Sequence, residues 1–116
     1  MKKILISLIM CMGIYCTQAQ VLTATAVAKA ISWAVGASVT AYKACPTAEY
    51  TVEYKAKDGV AYVKLSSANE AILAAIVALE NGAEYAHIRS QYPTVHPSCR
   101  DKRYTKSDIK YLRSRL

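Results

Sequence analysis

An alternating pattern interrupted by an Asp-Gly pair constrains the fold of this chain more than any other feature. Residues 49–56 alternate polar with apolar side chains, as a strand with one buried face does. The apolar members are Tyr50, Val52, Tyr54 and Ala56. Asp58-Gly59 suits the positive dihedral angles of a tight turn, and residues 60–65 then run back as a second strand. The pattern predicts an antiparallel β-hairpin.

A helix is predicted before the hairpin, over residues 21–44. Its main apolar residues recur every four positions, and no proline interrupts the segment before Pro46. They are Val27, Ile31, Val35 and Val39. A second row of small residues, from Ala24 to Thr40, would allow close packing, as similar rows do between membrane helices. Lys29 and the Ser and Thr residues favour packing in a soluble domain over contact with a membrane.

A buried helix and a third strand are predicted after the hairpin. Ser66 or Ser67 can cap this helix, residues 71–79 are apolar throughout, and Asn81-Gly82 ends it. A helix that is apolar on all sides belongs at the centre of a core. Residues 84–89 have the length and composition of a third strand, which would join the hairpin in antiparallel order.

The basic C-terminal segment, residues 97–116, is predicted to end in an amphipathic helix. Thr105 and Asp108 have the spacing of a capping box, and residues 109–116 carry a narrow apolar stripe. The expected fold class is therefore α+β. It comprises an N-terminal helix, a β-hairpin, a buried helix, a third antiparallel strand and a C-terminal basic helix.

The first twenty residues have the features of a secretion signal. Two lysines precede an apolar run over residues 4–15, and Thr17 and Ala19 place small residues at the −3 and −1 positions of a cleavage site. Cleavage after Ala19 would leave residues 20–116 as a single small domain. We therefore expect residues 1–19 to be a cleaved signal peptide and the protein to be periplasmic or secreted.

Export would place the remaining cysteines in an oxidising compartment. Cys11 and Cys16 would leave with the signal peptide, which leaves an even number of cysteines, Cys45 and Cys99. One disulfide between them is the simplest expectation for a small exported domain. The alternative, two free thiols, is less favoured because the sequence shows no Cys-x-x-Cys pair and no obvious activating neighbour.

The positive charge of the chain is concentrated at its C-terminal end. The net charge of +7 falls to +5 without Lys2 and Lys3, and the charges of residues 20–96 cancel. The basic residues beyond that range are Arg100, Lys102, Arg103, Lys106, Lys110, Arg113 and Arg115. They are the predicted site for an anionic surface or an acidic partner. A solvated end that aids solubility is the alternative.

A second candidate site lies on the sheet face that points away from the predicted core. Its members interleave aromatic with basic side chains: Tyr62, Lys64, Tyr85, His87 and Arg89. Such a face can stack on bases or sugar rings. The alternatives are ordinary cross-strand pairing, since Tyr is common in strands, and coverage by the first helix. The sequence favours these alternatives over a ligand site.

Catalytic and cofactor chemistry has little support in the sequence. His96 and Cys99 have the spacing of a metal-ligand pair, but no second matched pair completes a zinc site. No serine lies in a recognisable nucleophile motif, and no glycine-rich loop suits a phosphate. We therefore expect that the protein is not an enzyme and that it binds neither a metal ion nor a cofactor. A small hydrolase using His87 or His96 is the enzymatic alternative.

These features predict an exported, non-catalytic binding protein that engages an unknown protein or an anionic envelope component through its basic C-terminal segment. The alternative is a membrane-active or toxin-like protein that acts through residues 21–44. Peripheral membrane contact is compatible with both readings, and nucleic acid is less favoured because of export. The oligomeric state does not follow from the sequence.

Overall fold

In the computed structural model, helices pack on one face of an antiparallel sheet. The structure describes residues 22–91, 99 and 101–116. In chain order the elements are α1 (Ala24–Val35), β1 (Tyr50–Ala56), β2 (Gly59–Leu65), α2 (Ala68–Glu80), β3 (Ala86–Ser90), β4 (Lys102–Tyr104) and α3 (Ile109–Ser114). A 3-10 turn, Lys106–Asp108, precedes α3. The predicted α+β class is confirmed, while the predicted signal peptide lies outside the described residues.

The sheet has the strand order β2-β1-β3-β4, with each neighbouring pair antiparallel. The predicted hairpin is confirmed: β1 and β2 pair along their whole length, and Gly59 at the turn has a φ of 125°. The third strand is also antiparallel to β1. The fourth strand was not predicted, because its three residues carry no alternating apolar pattern and it forms only by pairing with β3.

The core lies between the sheet and α2. Every residue of α2 from Ala71 to Leu79 is buried except Leu73, which is partly buried. Ser67 caps the helix by accepting a hydrogen bond from the Glu70 N–H at 3.2 Å. The position of α2 against β1, β2 and β3 explains why it needs no polar face. The prediction of a central buried helix is thereby confirmed.

Helix α1 is shorter than predicted, because it ends at Val35 instead of residue 44. Gly36 adopts the left-handed conformation, with a φ of 73°, and its N–H donates to the Ser32 carbonyl. The Ser32 hydroxyl then accepts from the Val39 N–H at 2.8 Å. Residues beyond Gly36 form a loop, in which Tyr42 exchanges two backbone hydrogen bonds with Tyr62 on the edge of β2.

The length of α1 also bears on the membrane alternative. It contains 12 residues, and its buried side chains are Val27, Ala28 and Ile31. Among the described residues, no helix combines the length and apolarity needed to cross a bilayer.

The predicted disulfide between Cys45 and Cys99 is absent, since both thiols are free. Cys45 is exposed in the loop before β1. Cys99 is fully buried, with its Sγ 3.9 Å from the Ala68 carbonyl oxygen at the start of α2. Burial raises the pKa of the Cys99 thiol to about 11. The pairing was inferred from an even count of cysteines, which carries no information about their separation.

The basic C-terminal segment is not a free tail, because part of it belongs to the folded domain. Strand β4 extends the sheet, and Leu112 of α3 is fully buried against the core. The predicted capping pair forms, with the Thr105 N–H donating to the Asp108 carboxylate at 2.9 Å. The Tyr104 and Tyr111 rings stack with their centroids 6.2 Å apart. These contacts dock the described part of the segment on the domain, with the cations of that part exposed.

Candidate functional site

The sheet face opposite the helices is organised around Glu53, on the central strand β1. Its neighbours in register are Tyr62 on β2 and His87 on β3. Glu53 is only 7% exposed, yet its carboxylate has partners on two sides. The Tyr85 hydroxyl donates to Oε2 at 2.6 Å, and the Arg89 guanidinium lies 3.6 Å from Oε1. These contacts compensate a carboxylate that would otherwise be costly to bury.

A second carboxylate, Asp101, ties the start of β4 to β3. His87 Nε2 lies 2.6 Å from Asp101 Oδ1, and Arg89 Nε lies 3.9 Å from the same oxygen. The other ring nitrogen, His87 Nδ1, is buried and has no hydrogen-bond partner among the described residues. One ring nitrogen is therefore engaged by a carboxylate and the other is withdrawn from solvent.

Cations of the chain itself lie over aromatic rings around this face. The Arg103 guanidinium lies 4.1 Å from the Tyr85 ring centroid, and Lys64 Nζ lies 5.4 Å from that of Tyr42. A ring that already carries a cation offers less of its surface to a flat ligand. The face is thus an internally paired network.

The two tyrosines beside Glu53 have raised pKa values. The hydrogen bond to Glu53 is the main cause for Tyr85, whose pKa rises to about 12, with burial second. The pKa of Tyr62 is raised by burial first and by the Glu53 carboxylate second. Both hydroxyls therefore keep their protons at neutral pH and act as hydrogen-bond donors or acceptors.

An open pocket of about 380 Å³ lies at one end of this face. Its lining comes from the loop over residues 45–48, from Thr51 and from the end of β3, including Arg89. Among the residues that the structure describes, no group of three or more His, Cys, Asp or Glu side chains is arranged to hold a metal ion. His96, the weak metal-ligand candidate, lies outside the described residues.

The sheet-face residues predicted from the sequence do come together. The structure places Tyr62, Lys64, Tyr85, His87 and Arg89 on or beside the face opposite the helices. The first helix does not cover them, because α1 packs with α2 on the core side and Tyr54 donates a hydrogen bond to its Ala24 carbonyl at 2.8 Å. Ligand binding by this face stays a hypothesis, which the sequence favours less than ordinary cross-strand pairing.

The sequence patterns do not predict four residues of the network: Tyr42, Glu53, Asp101 and Arg103. Glu53 lies on the polar face of the predicted strand. The one signal in the sequence is that a carboxylate occurs in the middle of a strand. That signal gains meaning only once β1 is known to be central. Asp101 and Arg103 belong to the segment that the sequence predicts to be a basic tail, since nothing in the local pattern predicts β4.

The predicted tail cations fall into two groups. Three are engaged within the domain: Lys102 lies 5.3 Å from the Tyr104 ring centroid, Arg103 lies over Tyr85, and Arg113 pairs with Glu80. The other three are Lys106, Lys110 and Arg115, which are exposed and form no ion pair with any described residue. Arg100 lies outside the described residues.

We expect Glu53→Gln to lower the pKa of Tyr85 from about 12 toward its ordinary value of 10.0. The amide can still accept the hydroxyl proton, but it lacks the negative charge that opposes ionisation of Tyr85. A pH titration of the Tyr85 ring by NMR measures this shift. Glu84→Gln is the matched control, because Glu84 is an exposed carboxylate next to Tyr85 that pairs with Lys55 at 3.6 Å. An unchanged Tyr85 titration in Glu53→Gln would contradict the role assigned to the carboxylate.

Comparisons of this chain with protein-family models, with curated proteins and with solved structures find no match. The functional argument therefore depends on the geometry and charge of the chain itself.

Proposed function

We propose that the domain is an exported, non-catalytic binding protein that engages an anionic surface or an acidic partner through its C-terminal cations. Residues 1–19 act as the cleaved signal peptide in this proposal, and the domain works in the periplasm or outside the cell. The proposal needs no disulfide, since β4 and α3 are already docked by packing and hydrogen bonds.

The proposal depends on a difference between the acidic and the basic side chains of the domain: most of the carboxylates have a partner, whereas three C-terminal cations have no acidic partner. Apart from Glu49, every described carboxylate accepts a hydrogen bond or forms an ion pair within the domain. Lys106, Lys110 and Arg115, by contrast, extend from the 3-10 turn and α3 without an acidic partner among the described residues. Uncompensated cations on one segment attract polyanions and acidic proteins.

The sheet face is less suited to the same role. Its central cation, Arg89, lies between Glu53 and Asp101, and Lys55 pairs with Glu84. An anionic ligand would have to compete with these carboxylates. The rings of Tyr42 and Tyr85 already lie under Lys64 and Arg103. The C-terminal cations are therefore the favoured binding surface.

Replacing Lys106, Lys110 and Arg115 together by glutamine is expected to weaken binding to heparin, used as a soluble polyanion, on the order of 10-fold at low salt. The wild-type affinity should fall steeply with salt, and the variant should show a shallower dependence because it releases fewer counterions. Isothermal titration calorimetry over a series of salt concentrations measures both quantities.

The matched control replaces Lys43, Lys57 and Lys64, which changes the net charge equally at exposed positions elsewhere. If binding depends on the C-terminal cations specifically, this control should retain most of the wild-type affinity. An equal loss in both triple variants would indicate a response to net charge alone. Heparin binding that does not change with salt would also contradict the proposal.

A further inference from the structure

Trp33 is the only tryptophan of the chain, and it is 88% exposed. It lies on α1, one turn from Lys29, on the side of the helix away from the buried Val27 and Ile31. Tryptophan is large and mostly apolar, so its exposure forfeits more burial energy than that of any other side chain. The chain gains nothing in its own core from a tryptophan at this position.

The helical side of the domain also carries other exposed apolar groups. Helices α1 and α3 both pack against α2, on the core side of the sheet. Tyr111 of α3 is 42% exposed while stacking on Tyr104, and Leu116 is 55% exposed. Three of the four large exposed apolar side chains among the described residues thus belong to α1 or to the α3 region, the fourth being Val60 on β2.

Positive charge exceeds negative charge on this side, where Glu70 of α2 and Asp108 of the 3-10 turn are the acidic residues that form no ion pair with a described residue. No acidic residue occurs between residues 22 and 48, a stretch that includes Lys29. Lys106, Lys110 and Arg115 lie around α3, where Glu80 is neutralised by Arg113. The helical side therefore combines an exposed indole with several free cations.

We propose that the helical side docks on a bilayer containing anionic phospholipids, with the Trp33 indole entering the headgroup region. This inference rests on the proposed function and names the anionic surface. Tryptophan and tyrosine favour the interface between lipid and water, and lysine and arginine are attracted to anionic headgroups. An exposed indole on a side with excess positive charge matches a fluid, negatively charged surface, whereas a protein partner would be expected to bind a continuous apolar patch.

The single tryptophan supplies the test directly. The protein is purified from an exporting host, its N-terminus is determined by mass spectrometry, and it is mixed with vesicles of POPC alone or of POPC with POPG. We expect the Trp33 emission to shift to shorter wavelength only with the POPG-containing vesicles, and high salt to reverse the shift. An emission spectrum that stays unchanged with excess POPG vesicles would overturn the proposal.

A variant pair tests whether Trp33 contributes to affinity. Trp33→Ala is expected to weaken partitioning into POPG-containing vesicles by about 10-fold, measured by sedimentation. Its high exposure means that the fold should be retained, which circular dichroism checks. Val60→Ala, which removes an exposed apolar group at the sheet edge, is the control and should partition as the wild type does. Equal partitioning of Trp33→Ala and wild type would count against the inference.

The two proposals fail in different ways. If the C-terminal glutamine variant loses heparin binding while Trp33 never enters a lipid environment, the anionic-partner proposal stands and the bilayer is the wrong surface. If neither triple variant loses heparin binding, both proposals lose their basis.

Discussion

Replacing Ile72 by alanine is expected to lower the free energy of unfolding by about 2–5 kcal/mol. Ile72 is fully buried in α2, which packs against three strands as well as α1 and α3. A cavity at this position has well-packed walls on all sides, so little relaxation can fill it. Small domains are stable by about 5–15 kcal/mol, and this single change therefore removes a large fraction of the total.

Urea denaturation followed by circular dichroism measures the effect, with the slope of the transition reporting whether unfolding stays two-state. Leu73→Ala is the matched control on the same helix, because Leu73 is only partly buried and should cost less. Equal losses in the two variants would contradict the central position of α2.

The free energy of unfolding is expected to decline by about 2 kcal/mol between pH 10 and pH 12 through Tyr54 alone. Burial first, and the nearby Asp58 carboxylate second, raise the pKa of Tyr54 from 10.0 to about 12. Below pH 10 the hydroxyl keeps its proton in both states, and its stabilising contribution is fully present. As the pH rises toward 12, the unfolded chain loses this proton while the folded chain retains it, so unfolding becomes easier.

Tyr54→Phe should remove this part of the alkaline decline. It should also cost about 1 kcal/mol at neutral pH, because the hydroxyl donates to the Ala24 carbonyl at 2.8 Å and ties β1 to α1. Urea denaturation of both proteins at neutral pH and at several alkaline pH values measures the difference. Tyr42→Phe removes a hydroxyl outside the core and should keep the wild-type decline. An unchanged profile in Tyr54→Phe would contradict the assignment.

Local patterns predicted the centre of the fold well. The hairpin around Gly59, the buried helix α2 and its Ser67 cap all depend on neighbours within a few residues, and the structure contains each of them. Contacts between distant segments were predicted less well. Strand β4 has no pattern of its own, and the pairing of Cys45 with Cys99 was inferred from a count.

The end of α1 shows how local and tertiary effects compete. Val35 and Val39 continue the four-residue spacing, and both are partly buried against the core, so the apolar pattern was real. Yet Gly36 turns the chain, and Ser32 stabilises the turn through its hydroxyl. The four-residue spacing of apolar side chains therefore extends over a helix and the loop that follows it, and does not mark one continuous helix. A glycine four residues after a serine was the available signal for the helix end.

The sequence by itself determined the α+β class, the face of each hairpin residue and the concentration of positive charge near the C-terminus, because these depend on periodicity and composition. Only the tertiary structure decided which charges are free. Residues distant in sequence, such as Glu53 and Tyr85 or Glu80 and Arg113, pair once β3 and α3 dock. Lys106, Lys110 and Arg115 form no ion pair with any described residue, and Trp33 stays exposed on the helical side, because both outcomes depend on which surfaces the core buries.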